Sequence, residues 1–131
     1  MKILVCGDRN SSDWSLIKRT LDGLDISLLI EGGSKGVDRL AGFYADLNGI
    51  PHVTMPAQWR YYGRKAGPLR NQWMIDYLKP DLVVAFPGGR GTRNMVELAN
   101  KVGIPVKEIK EENYDCFPKT TISFGIGGDD E

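Results

Sequence analysis

The sequence predicts an α/β fold in which a parallel sheet is covered by helices on both faces. Three observations carry this expectation. Short apolar runs alternate with longer helical patterns, each junction holds Gly, Pro or Asp, and the run Leu82 to Phe86 is apolar throughout. A strand without a polar side must be covered on both faces, which is how parallel sheets read.

Taken in order, Ile3 to Cys6 forms the first strand and stops at Gly7. Asp13 then caps a helix to about Asp22, whose buried stripe is Leu16, Ile17 and Leu21. Ser27 to Ile30 is the second strand, followed by Glu31, Gly32 and Gly33. Val37 to Leu47 is a helix with Leu40, Ala41, Tyr44 and Leu47 on one face, ended by Asn48-Gly49. His52 to Met55 is a short third strand between Pro51 and Pro56. Pro68 suits the first turn of a third helix that runs to about Leu78. Leu82 to Phe86 is the central strand, and Thr92 to Val102 is a fourth helix with Met95, Leu98, Ala99 and Val102 at helical spacing. Pro105 to Ile109 closes the series as a fifth strand.

Right-handed crossovers leave few ways to order five such strands, and 3-2-1-4-5 leads among them, a Rossmann-like, doubly wound sheet. The chain then reverses direction between strands 1 and 4, so a ligand crevice is expected at their carboxyl ends. The loops after strands 1, 2 and 4 surround it, and they hold the glycines.

Size and charge bound the alternatives. The chain has 131 residues, 41% hydrophobic and 26% charged, enough for one domain with its own core. Lys plus Arg and Asp plus Glu each number 17, so no global field selects a polyanion and any basic surface must be local. Cys6 and Cys116 are far apart and match no metal-ligand spacing, which suits a reducing compartment. The apolar start before Gly7 is too short for a signal sequence and no run approaches membrane-spanning length, so a cytoplasmic protein is expected. Residues 1–109 make the predicted domain. Residues 110–131 make a tail in which Thr120 to Phe124 can add an edge strand and the glycines and acidic end suggest partial mobility.

The strongest motif is Pro87-Gly88-Gly89-Arg90-Gly91-Thr92, which joins the central strand to a helix. Glycines let a ligand approach the backbone, and free amides at a helix start receive phosphate oxygens. Thr92 adds a hydroxyl, and Arg90 and Arg93 add charge. The plainer alternative is a Pro-Gly turn with a threonine cap.

Glu31-Gly32-Gly33-Ser34-Lys35-Gly36-Val37-Asp38-Arg39 is neither a P-loop nor a full dinucleotide fingerprint. Two readings stay open here. Asp38 and Glu31 can accept from ribose hydroxyls, or Asp38 satisfies amides at the helix start while Glu31 is solvated. The aromatic and cationic segment Gln58 to Asn71 can stack on a base. Arg60 and Arg64 read better as solvated cations, and Arg70 as the site candidate. His52, the single histidine, has no evident Ser, Cys or Asp partner and reads as a structural strand residue. No metal site is expected.

Several motifs in order carry a family resemblance: Gly7-Asp8-Arg9, Gly32-Gly33 to Gly36-Val37-Asp38-Arg39-Leu40-Ala41, Ala57-Gln58-Trp59, Tyr62-Gly63, Ala66-Gly67-Pro68, Arg70-Asn71 and Pro87-Gly88-Gly89-Arg90-Gly91-Thr92. Over residues 1–109 the chain resembles the YspA/YpsA-related branch of the SLOG superfamily, which also holds the Smf/DprA proteins and the LOG "lysine decarboxylase-like" enzymes. The resemblance implies a Rossmann-like fold, a nucleotide or nucleotide-derived ligand and a homo-oligomer. In LOG enzymes, which free a base from a nucleoside monophosphate, an arginine on the third helix and a glutamate after the Pro-Gly-Gly loop carry catalysis. Arg70 matches the arginine, and the glutamate position is Met95. Glu97 points roughly 200° around the helix from it, so it is no obvious substitute. Asp8 also departs from the serine usual between that glycine and arginine.

The expected function is therefore binding of a nucleotide-type ligand, as a sensor or sequestering module. Gly7, Asp8, Arg9, Gly32, Gly33, Gly36, Asp38, Arg70, Asn71 and Pro87 to Thr92 are the candidate ligand residues, with no cofactor implied. The alternative is an N-glycosidic hydrolase or transferase using Arg70 as its catalytic residue. Single-stranded nucleic acid ranks third, because the balanced charge gives no basic footprint.

Overall fold

The computed structural model describes residues 1–110. Cys116, the Thr120 to Phe124 segment and the acidic end lie outside the described residues. Five parallel strands, β1 (Lys2–Cys6), β2 (Leu28–Glu31), β3 (His52–Thr54), β4 (Leu82–Ala85) and β5 (Val106–Glu108), form one sheet in the order β3-β2-β1-β4-β5. This is the α/β, Rossmann-like arrangement expected, with the reversal between β1 and β4.

Side chains along a strand alternate between faces, and the core divides accordingly. Ile3, Val5, Leu29 and Val84 pack with α1 (Trp14–Asp22) and α2 (Val37–Leu47) on one side. Leu4, Ile30 and Val83 pack on the other side with the helices that follow β3 and β4. Asp13 caps α1 as anticipated, its Oδ1 accepting from the Leu16 amide at 3.1 Å. The Tyr44 hydroxyl, donating to Asp22 at 2.7 Å, ties α2 to the end of α1.

Four details differ from expectation. The segment before the third predicted helix, given no element in the sequence, is helical: α3 (Trp59–Tyr62) and a 3-10 turn, Gly63–Lys65, lead into α4 (Ala66–Trp73). Second, α4 widens into a π-helical stretch, Met74–Leu78, closed by Lys79 in the left-handed region (φ 50°) before Pro80. Third, α5 (Arg90–Val102) starts two residues before Thr92, so Arg90 and Gly91 belong to its first turn. Fourth, Leu47 and Val102, assigned to buried faces, are exposed. Both occupy the last position of their helices, where the chain is leaving the sheet. Val37 and Ala45 fill α2's core face instead.

Candidate functional site

The loops after β1, β2 and β4 meet at the carboxyl end of the sheet. The Asp8 amide donates to the Pro87 carbonyl at 2.9 Å, and the Val37 amide donates to the Asp8 carbonyl at 3.1 Å. A methyl group on Gly7 would lie 2.7 Å from Val37 Cγ2 and 2.9 Å from Phe86 Cβ, and one on Gly88 would lie 3.0 Å from the Asp8 amide nitrogen. Gly36 has φ 74° and lies directly against the Asp8 and Arg9 backbone, a position only glycine fills without strain. These glycines let the three loops touch one another.

Arg70 and Asn71, from α4, form a strut beneath the loops. The Arg70 Nη1 group donates to the carbonyls of Gly32 (2.6 Å) and Met55 (3.2 Å), and its Nε donates to Asn71 Oδ1 (2.9 Å). Asn71 Nδ2 donates in turn to the Gly91 carbonyl (3.2 Å) and to Asn94 Oδ1 (2.9 Å). The strut therefore links the loop after β2 to the start of α5. Both side chains are buried. Burial holds the Arg70 guanidinium below its ordinary value, opposed by the carboxylates of Asp38 and Glu31.

In the loop after β2 the amides of Gly32, Gly33 and Ser34 are already occupied. Asp38 Oδ2 accepts from Gly32 (3.1 Å) and Ser34 (3.2 Å), and Glu31 Oε1 accepts from Gly33 (2.6 Å). The Thr54 hydroxyl donates to Glu31 Oε2. Asp38 thus satisfies amides as one of the two open readings held. Glu31 is not solvated: it is 3% exposed. Burial pushes the Asp38 carboxyl up to about 6, with Glu31 adding to the rise and the Ser34 amide and Arg70 opposing it. At the end of β1, burial also pushes the Cys6 thiol up to about 12, so it stays protonated and is a poor nucleophile.

The loop after β4 is arranged differently. Gly89 sits at the N-cap of α5 and supplies no side-chain cap, and the first bond into the helix runs from the Arg93 amide to the Gly89 carbonyl at 3.0 Å. Among the described residues no hydrogen bond engages the amides of Gly88 to Thr92. Space around Gly89 and Gly91 is open, and Arg90 and Arg93 are exposed. Beside this loop lies a cavity of about 230 Å³ with an apolar wall of Leu16, Ile17, Val37 and Phe86. Its polar rim is Asp8, Asn10, Ser11 and Asp13. Arg9, also exposed, does not line it.

Met95 is fully buried in the core between α5 and the sheet, and Glu97 is exposed on α5. Two partners escaped the sequence reading. Asn94 completes the strut, and Asp46 Oδ1 lies 3.3 Å from His52 Nδ1. Neither carries a sequence signal, because each pairing joins elements that only the fold brings together. Among the described residues, no group of three His, Cys, Asp or Glu side chains is placed to hold a metal ion, and no helix is long and apolar enough to cross a membrane.

Comparison with known proteins decides the family. The model of the YspA, cpYpsA-related SLOG family matches residues 1–62. The gene 61 protein of Mycobacterium phage D29 is 34% identical over 118 residues, covering 80% of this chain and 93% of the phage protein. The chain belongs to the YspA, cpYpsA-related SLOG family. The family match spans β1 to α3, including the loops after β1 and β2. In this SLOG protein the match stops short of the strut and of the loop after β4, which lie within the described fold all the same.

Proposed function

We propose that this SLOG protein binds a nucleotide or nucleotide-derived ligand, with a phosphate against the start of α5 and the rest of the ligand in the cavity beside Asp8. The observation that carries the reading is the unsatisfied start of α5 next to that cavity. Free amides and the helix dipole favour an anion there, and Arg90 and Arg93 add charge. The domain's own charge agrees with it. Six of the seventeen acidic residues but one of the seventeen basic residues lie beyond residue 110, so residues 1–110 carry a net charge of +5. Family membership independently favours a nucleotide-related ligand.

Binding without glycosidic hydrolysis is the form we favour. The position that would hold a catalytic glutamate is Met95, inside the core, and Arg70 is engaged by backbone carbonyls and Asn71. We assign Arg70 and Asn71 as positioning residues that hold the loops in register. The cavity's rim and the absence of a reacting group at Met95 suit a sensor or sequestering module.

Titration calorimetry with nucleoside monophosphates, ADP-ribose, cyclic nucleotides and NAD tests this. We expect saturable binding of at least one, lost in Gly89→Val. A Cβ at this position meets nothing within 4 Å in the free protein, so the variant should still fold. Absence of binding at millimolar ligand, or binding unchanged in Gly89→Val, overturns the reading. Free base released from a nucleoside monophosphate, detected by chromatography, overturns its non-hydrolytic form.

A further inference from the structure

A second concavity, of about 370 Å³, lies on the far side of α2 from the cavity just described, along the edge strand β3. Its floor is Gly42, its aromatic wall is Phe43, and its polar groups are Glu31, Asp46, His52 and Arg39. A methyl group built on Gly42 would sit 3.4 Å from Glu31 Oε2 and 3.5 Å from His52 Nε2. The two atoms therefore flank the space above the Gly42 Cα that a side chain at this position would narrow.

Those two atoms are acceptors. His52 Nδ1 faces Asp46 Oδ1 at 3.3 Å, which favours the neutral tautomer with its hydrogen on Nδ1 and a lone pair on Nε2. Glu31 is 3% exposed, yet its oxygens receive only neutral donors, the Gly33 amide and the Thr54 hydroxyl. No salt bridge among the described residues includes it. The Arg70 guanidinium acts on it only at longer range, whereas a buried carboxylate ordinarily has a cation in contact. The Phe43 ring lines the groove, 53% exposed and tilted against Trp14 at 5.5 Å between centroids, and supplies aromatic surface for a cation.

We propose that the groove between α2 and β3 is a binding site for a small organic monocation, an ammonium or guanidinium group seated over Gly42 between Glu31 and His52 and against Phe43. Arg39 at the rim sets the charge limit: it disfavours polycations and leaves room for a ligand that carries its own anionic group farther out. The proposal does not depend on the nucleotide reading, because the two concavities share no residue.

The test is a titration of the full chain with methylguanidinium chloride, followed by amide NMR shifts and referenced to sodium chloride at equal ionic strength. We expect saturable shifts in the millimolar range at Glu31, Phe43, His52 and Thr54. Gly42→Ala is the decisive variant. Its methyl group makes ordinary contacts in the groove, so the fold is kept and the melting temperature should be no lower, while the cation's place is taken. Affinity should fall at least tenfold in Gly42→Ala and also in Glu31→Gln. Shifts no larger than those with sodium chloride, binding retained in a folded Gly42→Ala, or preferential binding of sodium acetate at the same residues would each overturn the proposal.

Discussion

Two glycine-rich loops leave β2 and β4, the strands on either side of β1, and open helices in the same way, yet their glycine amides meet different partners. After β2, Glu31 and Asp38 accept from Gly32, Gly33 and Ser34, so these three amides are closed by the loop's own carboxylates. After β4 no acidic residue lies between Phe86 and Val96, and the corresponding amides meet two arginines and open space. The difference teaches that glycine content alone does not make an anion site. What matters is whether an acceptor from the protein's own chain reaches the amides first.

Removing the element that joins the loops should have the largest effect. Arg70→Ala strips donors from the carbonyls of Gly32 and Met55 and leaves the buried carboxylates of Asp38 and Glu31 without the guanidinium charge that acts on them. Loss of one member of a buried charged network costs about 3–5 kcal/mol. Denaturant unfolding should show a loss of that size. Arg70→Lys should recover only part of it, because one ammonium cannot reach both carbonyls and Asn71 in the planar geometry of the guanidinium. A loss under about 1 kcal/mol would mean that the strut is not what holds the loops.

A smaller contrast compares the loops directly. A methyl group on Gly32 would lie 2.8 Å from Arg70 Cζ and 2.9 Å from Asp38 Oδ2, while one on Gly89 meets nothing within 4 Å. Gly32→Ala should therefore cost about 2–3 kcal/mol by overpacking, and Gly89→Ala should change stability by no more than about 0.5 kcal/mol. Equal effects on urea midpoints would break the distinction between a packing glycine and an open one.

Much of this architecture was legible in the sequence, for reasons that differ from element to element. The strand order followed from β–α alternation and crossover handedness, and Leu82 to Phe86 could be placed centrally because it has no polar face. The Asp13 cap was legible because capping is local. Trp59–Tyr62 was hidden because a four-residue helix without buried side chains has no periodicity to read. Which acceptor satisfies a given amide was hidden for another reason: the Glu31–Gly33 and Asp38–Gly32 pairings depend on side-chain direction as well as spacing. The Asp46–His52 contact joins the end of α2 to β3, so His52 read as partnerless.

The closed loop should also reveal itself through pH, and the sign is the informative part. Burial pushes Asp38 up to about 6, above its ordinary 3.8. A carboxyl that holds its proton more firmly in the folded chain contributes stability at low pH, and that contribution is lost as pH rises from about 4 to about 6. The shift of about two units sets a ceiling of about 3 kcal/mol, and relaxation of the loop lowers it. Asp38→Asn keeps an oxygen to accept from Gly32 and Ser34 but cannot ionise. Urea midpoints measured at pH 4 and pH 7 should therefore move in the variant's favour at the higher pH, by up to about 2 kcal/mol relative to the native chain. The opposite trend would mean that Asp38 is held as a stabilised anion by the Gly32 and Ser34 amides and Arg70. The loop after β2 would then be an anion site filled by its own side chain, and the two loops would differ in occupancy alone.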